Sequence, residues 1–129
     1  MSYEQKSLGK LRGRVIHGDK VGRKLGYPTA NLARHYFNRH PVNDGVYAGI
    51  ATVNTRRYSA AVVIGVHDKV EVHLIGYRGN LYGTMLEVTL VKKLRVLSRY
   101  RSDDMLTLQI ARDVERAKTT TLTHLGPYV

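Results

Sequence analysis

The residues with the clearest chemical potential lie in one glycine-rich stretch, GDKVGRKLGYPTANL, at positions 18–32. Its three glycines let the backbone approach a ligand closely and present amide donors, as many phosphate-binding loops do. Arg23 and Lys24 add positive charge beside those amides. This composition favours binding of a phosphorylated ligand.

Two oxygen-bearing side chains follow Pro28 in the same stretch. Thr29 and Asn31 alternate along an extended run, so their oxygens point to the same side. Such oxygens are hard ligands suited to Mg²⁺, which fills its shell with water and substrate phosphates. The pattern favours a metal–nucleotide loop, although it lacks the Gly-Lys-Ser/Thr of a Walker motif. The residues alone also allow a surface loop with capping polar side chains.

Most of the chain that must position this loop is predicted to be β-strand. Short links without helices between the strands indicate antiparallel pairing, in a sandwich or a closed barrel. In KVEVHLIGY, the side chains of Val70, Val72 and Leu74 share one face, and Glu71 and His73 lie on the other. The predicted strands cover residues 11–17, 45–53, 58–66, 69–77 and 81–96.

One helix is predicted near the C-terminus. Ser102 can cap it, two aspartates suit its positive N-terminal end, and MLTLQIARDVERAK follows. An apolar stripe then lies on the barrel, formed by Leu106, Ile110, Val114 and Ala117.

The composition indicates one globular domain of 129 residues. The chain has no cysteine, which excludes disulfides, thiolate metal sites and a cysteine nucleophile. We find neither a signal peptide nor a long apolar run, and expect a soluble, cytoplasmic protein. The net charge of +11 favours anionic partners without selecting among them. The histidines include no i, i+4 pair, so a histidine metal site is not favoured.

In their order, these motifs resemble the riboflavin kinases of bacteria and eukaryotes. The resemblance runs from Gly13 to Ala117 and includes GYPTAN, GVYAG, VEVHLIGY, NLYG, LR at 94–95 and the SDDML…QI..D helix. It implies a six-stranded antiparallel Greek-key β-barrel with a C-terminal helix. Bacterial relatives often carry an adenylylating half as well, for which 129 residues leave no room, so we expect a kinase only, or an isolated kinase domain, over residues 1–129.

The resemblance implies transfer of the γ-phosphoryl group of ATP to the terminal ribityl hydroxyl of riboflavin, giving FMN and ADP. Glu71 matches the base that takes the hydroxyl proton. Thr29 and Asn31 match the residues that hold a divalent metal, Mg²⁺ first and Zn²⁺ or Mn²⁺ as alternatives. The positions that match nucleotide contacts are Gly18, Arg23, Thr29, Leu74 and Tyr82.

The flavin positions implied by the resemblance are Arg95 and Tyr100. Here the chain reads LRVLSRY, whereas the family commonly continues LR with Pro-Glu and a later Lys. The expected partners are riboflavin or FMN and ATP or ADP, with no membrane. Two alternatives remain at this stage: a basic barrel that binds nucleic acid, and a flavin-binding module without catalysis.

Overall fold

A computed structural model describes residues 8–16, 29–33, 42–66 and 69–122 of the chain. These residues form six strands and one helix. The elements are β1 (Gly9–Ile16), β2 (Thr29–Ala33), β3 (Gly45–Val53), β4 (Arg56–Ile64), β5 (Lys69–Leu74), β6 (Met85–Arg95) and α1 (Asp103–Thr121).

The six strands close into a barrel in the order β1-β2-β5-β4-β3-β6, and every neighbouring pair is antiparallel. Consecutive strands do not always lie side by side, because β3 follows β2 in the chain but lies three places away in the barrel. The predicted barrel with a C-terminal helix is therefore confirmed, and the sandwich alternative is wrong.

Two predicted strands are shorter in the structure than in the sequence pattern. The strand expected over residues 69–77 ends at Leu74, two residues before Gly76, whose φ is +83°. The strand expected over 81–96 begins at Met85, after Gly83 with a φ of +81°. A φ near +80° is incompatible with an extended strand, so these glycines set the boundaries.

The barrel interior is filled by side chains from alternate positions of each strand, as expected for a barrel this small. In β5 these inward residues are the three predicted ones, which are at most 2% exposed. In β2 they are Ala30 and Leu32. The intervening residues of both strands consequently face outward, and this places Thr29, Asn31 and Glu71 outside the core.

Helix α1 packs against the outer face of β3, β4 and β6. Ser102 caps it as predicted, with its Oγ accepting from the Met105 amide at 3.2 Å. Ala117 packs with Ala48 and Ala61, small residues that let the helix approach the sheet closely. At the far end, the Ser59 and Thr121 hydroxyls are hydrogen-bonded at 2.6 Å.

The buried stripe of α1 differs in one respect from the predicted apolar stripe. Its fully buried residues are Ile110, Asp113, Ala117 and Thr121, whereas Leu106 and Val114 are only partly buried. The helix is thus rotated so that an aspartate faces the barrel. The reason lies in the partner of that aspartate, described below.

Candidate active site

The predicted metal ligands and the predicted base lie side by side on the outer face of β2 and β5. Asn31 is the direct cross-strand partner of Glu71, and Thr29 is the partner of His73. Directly opposite residues of an antiparallel pair have their Cβ atoms about 5 Å apart on the same face. The four side chains therefore form one polar cluster on the barrel wall, although Asn31 and Glu71 are 40 positions apart in the sequence.

In this cluster, Asn31 has a side-chain oxygen whose hydrogen-bonding capacity is not satisfied by the described residues. The residue is 6% exposed, and its Oδ1 accepts no hydrogen bond from the part of the chain that the structure describes. A buried carbonyl oxygen without a partner costs free energy, so such groups are usually paired. A cation or a ligand donor would satisfy it, and an amide oxygen is a ligand type that Mg²⁺ accepts.

His73 completes the cluster as a neutral group. Its Nδ1 lies 3.3 Å from the Thr29 hydroxyl and its Nε2 lies 3.9 Å from a Glu71 carboxylate oxygen. Burial lowers the pKa of His73 to about 4, against a smaller opposing effect of Asp113. At neutral pH the imidazole is uncharged, so its contact with Glu71 is not an ion pair. His73 therefore does not neutralise the Glu71 carboxylate.

The predicted flavin residue Arg95 ends strand β6 and joins the same row of outward residues as Glu71. The register runs from Glu71 to Val63, to Val46 and to Arg95. At the usual strand spacing, those three steps correspond to about 14 Å along the barrel surface. Two shifts in the β3–β6 register precede this pairing. Bulges of this kind re-aim side chains, and here Arg95 points toward α1.

Arg95 is held by a buried carboxylate that sequence reasoning did not single out. Its Nε and Nη2 donate to the two oxygens of Asp113 at 2.9 and 2.8 Å. The predicted flavin residue Tyr100 lies with its ring centroid 5.8 Å from the guanidinium carbon. The hydrogen bonds to Asp113 are the largest cause of a raised Arg95 pKa, so this group is a permanent cation. The structure thus brings Arg95 and Tyr100 together.

Of the predicted nucleotide residues, the structure describes Thr29, Leu74 and Tyr82, which lie at the barrel end where β2 begins and β5 ends. Tyr82 is 55% exposed in the turn before β6, and this turn is joined to β1 by the Gly83 amide, which donates to the Val15 carbonyl at 3.0 Å. Leu74 is 2% exposed and packs in the core, so a nucleotide would reach only its main chain. Gly18 and Arg23 lie outside the described residues.

Two residues near the predicted site residues, His73 beside Glu71 and Asp113 beside Arg95, were not among the predicted ones. His73 had one signal, since it shares a strand face with Glu71. The only sequence signal for Asp113 was its position in the SDDML…QI..D motif. The apolar stripe of a helix is identified from its hydrophobic residues, so an aspartate is not considered part of it. Among the described residues, no three His, Cys, Asp or Glu side chains group as a metal site. Thr29 and Asn31 would instead bind a metal through neutral hydroxyl and amide oxygens.

Comparison with known proteins identifies one family. The riboflavin kinase (flavokinase) family matches residues 7–121 of the chain. The bifunctional riboflavin kinase/FMN adenylyltransferase of Buchnera aphidicola is 39% identical, with 88% of this chain and 40% of that protein covered. The Escherichia coli K12 enzyme of the same name is 40% identical over 80% of this chain and 35% of its own length. The RNA-binding riboflavin kinase RibR of Bacillus subtilis is 34% identical, with 81% of this chain and 47% of that protein covered.

Solved structures show the same architecture. A Streptococcus pneumoniae structure described as a macrolide-efflux protein superposes with a TM-score of 0.74 at 29% identity, covering 84% of this chain and 38% of that one. Riboflavin kinase from Trypanosoma brucei superposes with a TM-score of 0.66, covering 88% of this chain and 76% of that one. At 23% sequence identity, this superposition shows a shared fold. The chain spans less than half the length of the curated relatives described above.

Proposed function

Because this chain belongs to the riboflavin kinase family, we propose that it transfers the γ-phosphoryl group of ATP to the terminal ribityl hydroxyl of riboflavin. The observation that carries the proposal is the direct pairing of Asn31 with Glu71 across β2 and β5. It places a carboxylate beside the side chains suited to a metal-bound nucleotide.

In the proposed reaction the ribityl oxygen forms a bond to the γ-phosphorus while the bond to the β,γ-bridging oxygen breaks. Glu71 takes the hydroxyl proton, and ADP leaves with the bridging oxygen. Such a reaction requires mainly positioning and charge stabilisation from the protein. A carboxylate is a suitable acceptor for this proton, and the uncharged imidazole of His73 does not neutralise it.

Thr29 and Asn31 would hold the divalent metal. The buried Asn31 oxygen fits this assignment, since it accepts no hydrogen bond from the described part of the chain. Mg²⁺ bound there would neutralise negative charge on the nucleotide phosphates. The Thr29 hydroxyl is oriented by the imidazole of His73, at 3.3 Å.

The nucleotide would lie at the barrel end that carries Tyr82 and the main chain of Leu74, with Gly18 and Arg23 contributing from the glycine-rich stretch. The flavin would lie toward Arg95 and Tyr100. The register spacing between Glu71 and Arg95 suits an elongated substrate, with its reactive hydroxyl at one end and its ring system at the other.

The proposal is limited to phosphoryl transfer. The bifunctional relatives also carry an adenylyltransferase name, but the matched part covers 40% or less of the two described above. Neither earlier alternative is favoured by the site, because a nucleic-acid or flavin binder has no need of the Asn31–Glu71 pair. No helix among the described residues is long and apolar enough to cross a membrane.

A product assay tests the proposal. The protein is incubated with riboflavin, Mg²⁺ and either ATP or CTP, and flavins are separated by chromatography. We expect FMN with ATP, no FMN without a divalent metal, and much less with CTP. Tight binding of riboflavin without any FMN would instead support the non-catalytic module.

A further inference from the structure

We propose that Asp113 is a positioning residue for the flavin, because it fixes the direction of the Arg95 guanidinium at one end of the substrate site. The inference rests on the proposed function, which assigns Arg95 to the flavin. It adds a residue from α1, an element that contributes no other group to the proposed reaction.

The contacts between the two side chains define one geometry. Arg95 donates through Nε and Nη2 to separate oxygens of Asp113, at 2.9 and 2.8 Å. A bidentate pair of this kind fixes the plane of the guanidinium as well as its position. Gln109 Nε2 donates to Asp113 Oδ1 at 3.0 Å and holds the carboxylate from the preceding helical turn. The acceptor is therefore itself oriented.

Arg95 joins three parts of the chain at this point. It is the last residue of β6, its Nη1 donates to the Val96 carbonyl at 3.1 Å, and its guanidinium faces the Tyr100 ring. Residues 96–102, which connect β6 to α1, are thereby anchored at both ends. Loss of Asp113 would release the guanidinium and the Tyr100 ring together.

Burial argues that this pair has a use beyond docking the helix. The Asp113 side chain is 4% exposed and that of Arg95 is 19% exposed. A buried ion pair seldom stabilises a fold more than apolar residues of similar volume. The helix already has apolar contacts to the barrel through Ile110 and Ala117. Because these apolar contacts can dock the helix, the ion pair needs another explanation. A requirement that the Arg95 guanidinium point in a fixed direction provides one.

The charge of the pair also suits the flavin rather than the nucleotide. Arg95 and Asp113 together carry no net charge. Three of the five guanidinium N–H groups are used in these contacts, which leaves two for other acceptors, the Tyr100 side chain among them. Such a site favours an uncharged ring with polar edges over a phosphate. The glycine-rich stretch, which the proposed function assigns to the nucleotide phosphates, differs in carrying Arg23 and Lys24. The two substrates are thus expected to meet groups of different charge.

The experiment compares Asp113→Asn with a matched control, Thr121→Val. Both positions are buried in α1 and bond to another element, but Thr121 contacts Ser59 far from Arg95. With Asp113→Asn we expect the KM for riboflavin to rise about tenfold or more, with the KM for ATP unchanged within about twofold. Thr121→Val should leave both constants unchanged at temperatures where it is fully folded.

A second variant guards against misfolding of the first. The double change Arg95→Met with Asp113→Leu replaces the buried pair with apolar side chains, which preserves folding in comparable cases. It should raise the riboflavin KM as much as Asp113→Asn does. A readout without substrate is the NMR signal of the Arg95 Nε–H, which should be protected from exchange in the wild type and in Thr121→Val, and exposed in Asp113→Asn.

The outcomes distinguish a failure of the proposed kinase function from a failure of the positioning role of Asp113. If the wild type makes no FMN, the proposed function fails and Arg95 loses its assignment. If the wild type makes FMN but Asp113→Asn and Thr121→Val change the riboflavin KM equally, Asp113 only docks the helix and this inference alone fails. A riboflavin KM that is unchanged in the folded double variant would overturn it as well.

Discussion

The Asn31 side chain has a hydrogen-bond acceptor that the described residues leave unsatisfied, and this makes it suited to binding a ligand. Its buried oxygen accepts no hydrogen bond from the described residues, and Glu71 is its cross-strand partner. Sequence parity correctly placed Glu71 outside the core, and Thr29 and Asn31 on the same side of one extended run. It did not reveal that Asn31 faces Glu71, because a strand's register with a distant partner is set by barrel closure.

Replacing Asn31 with Leu should therefore separate stability from metal-dependent binding. An orphaned buried polar group costs about 1–3 kcal/mol, so the ligand-free variant should be as stable as the wild type or more stable. The increase in Tm that Mg²⁺ and ADP cause together should be lost. Thermal unfolding with ADP, with and without Mg²⁺, measures both effects. A variant with the full Mg²⁺-dependent increase would show that Asn31 does not serve the metal.

His73 predicts a pH dependence of stability. Its pKa is lowered by burial from 6.5 to about 4 in the folded protein, so the unfolded chain takes up a proton more readily. The resulting contribution is fully present above about pH 6.5 and is lost as the pH falls toward 4, to a total of about 3 kcal/mol. Urea unfolding between pH 4 and 7 measures it.

The control for this prediction is His73→Gln, which has no proton to gain in that range. The free energy of unfolding of this variant should vary less with pH between 4 and 6.5 than that of the wild type. Equal pH dependence in both proteins would mean that other groups account for the loss, and that His73 is not buried as a neutral imidazole.

At the scale of the element, periodicity predicted five of the six strands and the helix, but it missed β2 (Thr29–Ala33) and placed several boundaries less well. The face of β5 was readable because Val70, Val72 and Leu74 alternate with polar residues. The buried face of α1 was not, because the pairing of Asp113 with Arg95 depends on a strand end 18 residues earlier. Patterns within an element identify apolar faces, whereas partners from another element decide where a buried charge can lie.

Two glycines in turns provide a test of the strand ends. Gly65 has a φ of +112°, and a Cβ there would overlap the Asp44 carboxylate. Gly76 has a φ of +83° with no described atom within 4 Å of such a Cβ. Gly76→Ala should cost about 1 kcal/mol of unfolding free energy from backbone strain alone, and Gly65→Ala about 2–4 kcal/mol. Denaturant unfolding gives both values, and equal losses would show that the Asp44 carboxylate moves aside without cost.

At the scale of the whole molecule, the sequence pattern left the choice between a sandwich and a barrel open. Antiparallel pairing follows from short links, but closure depends on β6 pairing with both β3 and β1, which lie far away in the sequence. The resemblance to a known family supplied that choice. The net charge of +11 is a property of the whole surface that neither the fold nor the site requires.

This charge predicts that salt will distinguish the two substrates. ATP is a polyanion and riboflavin is uncharged at neutral pH, so only ATP gains from a basic surface at low ionic strength. Raising KCl from about 50 to 300 mM should increase the KM for ATP severalfold and that for riboflavin by less than about twofold. Steady-state kinetics at constant Mg²⁺ measures both. Equal changes in the two constants would show that the charge does not act on the nucleotide.

The most direct test of the account is the turnover of Glu71→Gln, compared with that of Glu87→Gln on the outer face of β6. Glu87 is a partly exposed carboxylate that lies near Lys10, at 3.9 Å, and its cross-strand partners are Arg12 and Thr52. If Glu71 accepts the ribityl proton, its replacement should lower kcat by about 100- to 10,000-fold, with ADP affinity changed less than about threefold. Glu87→Gln should keep the wild-type kcat. A folded Glu71→Gln protein that turns over at the wild-type rate would contradict the account.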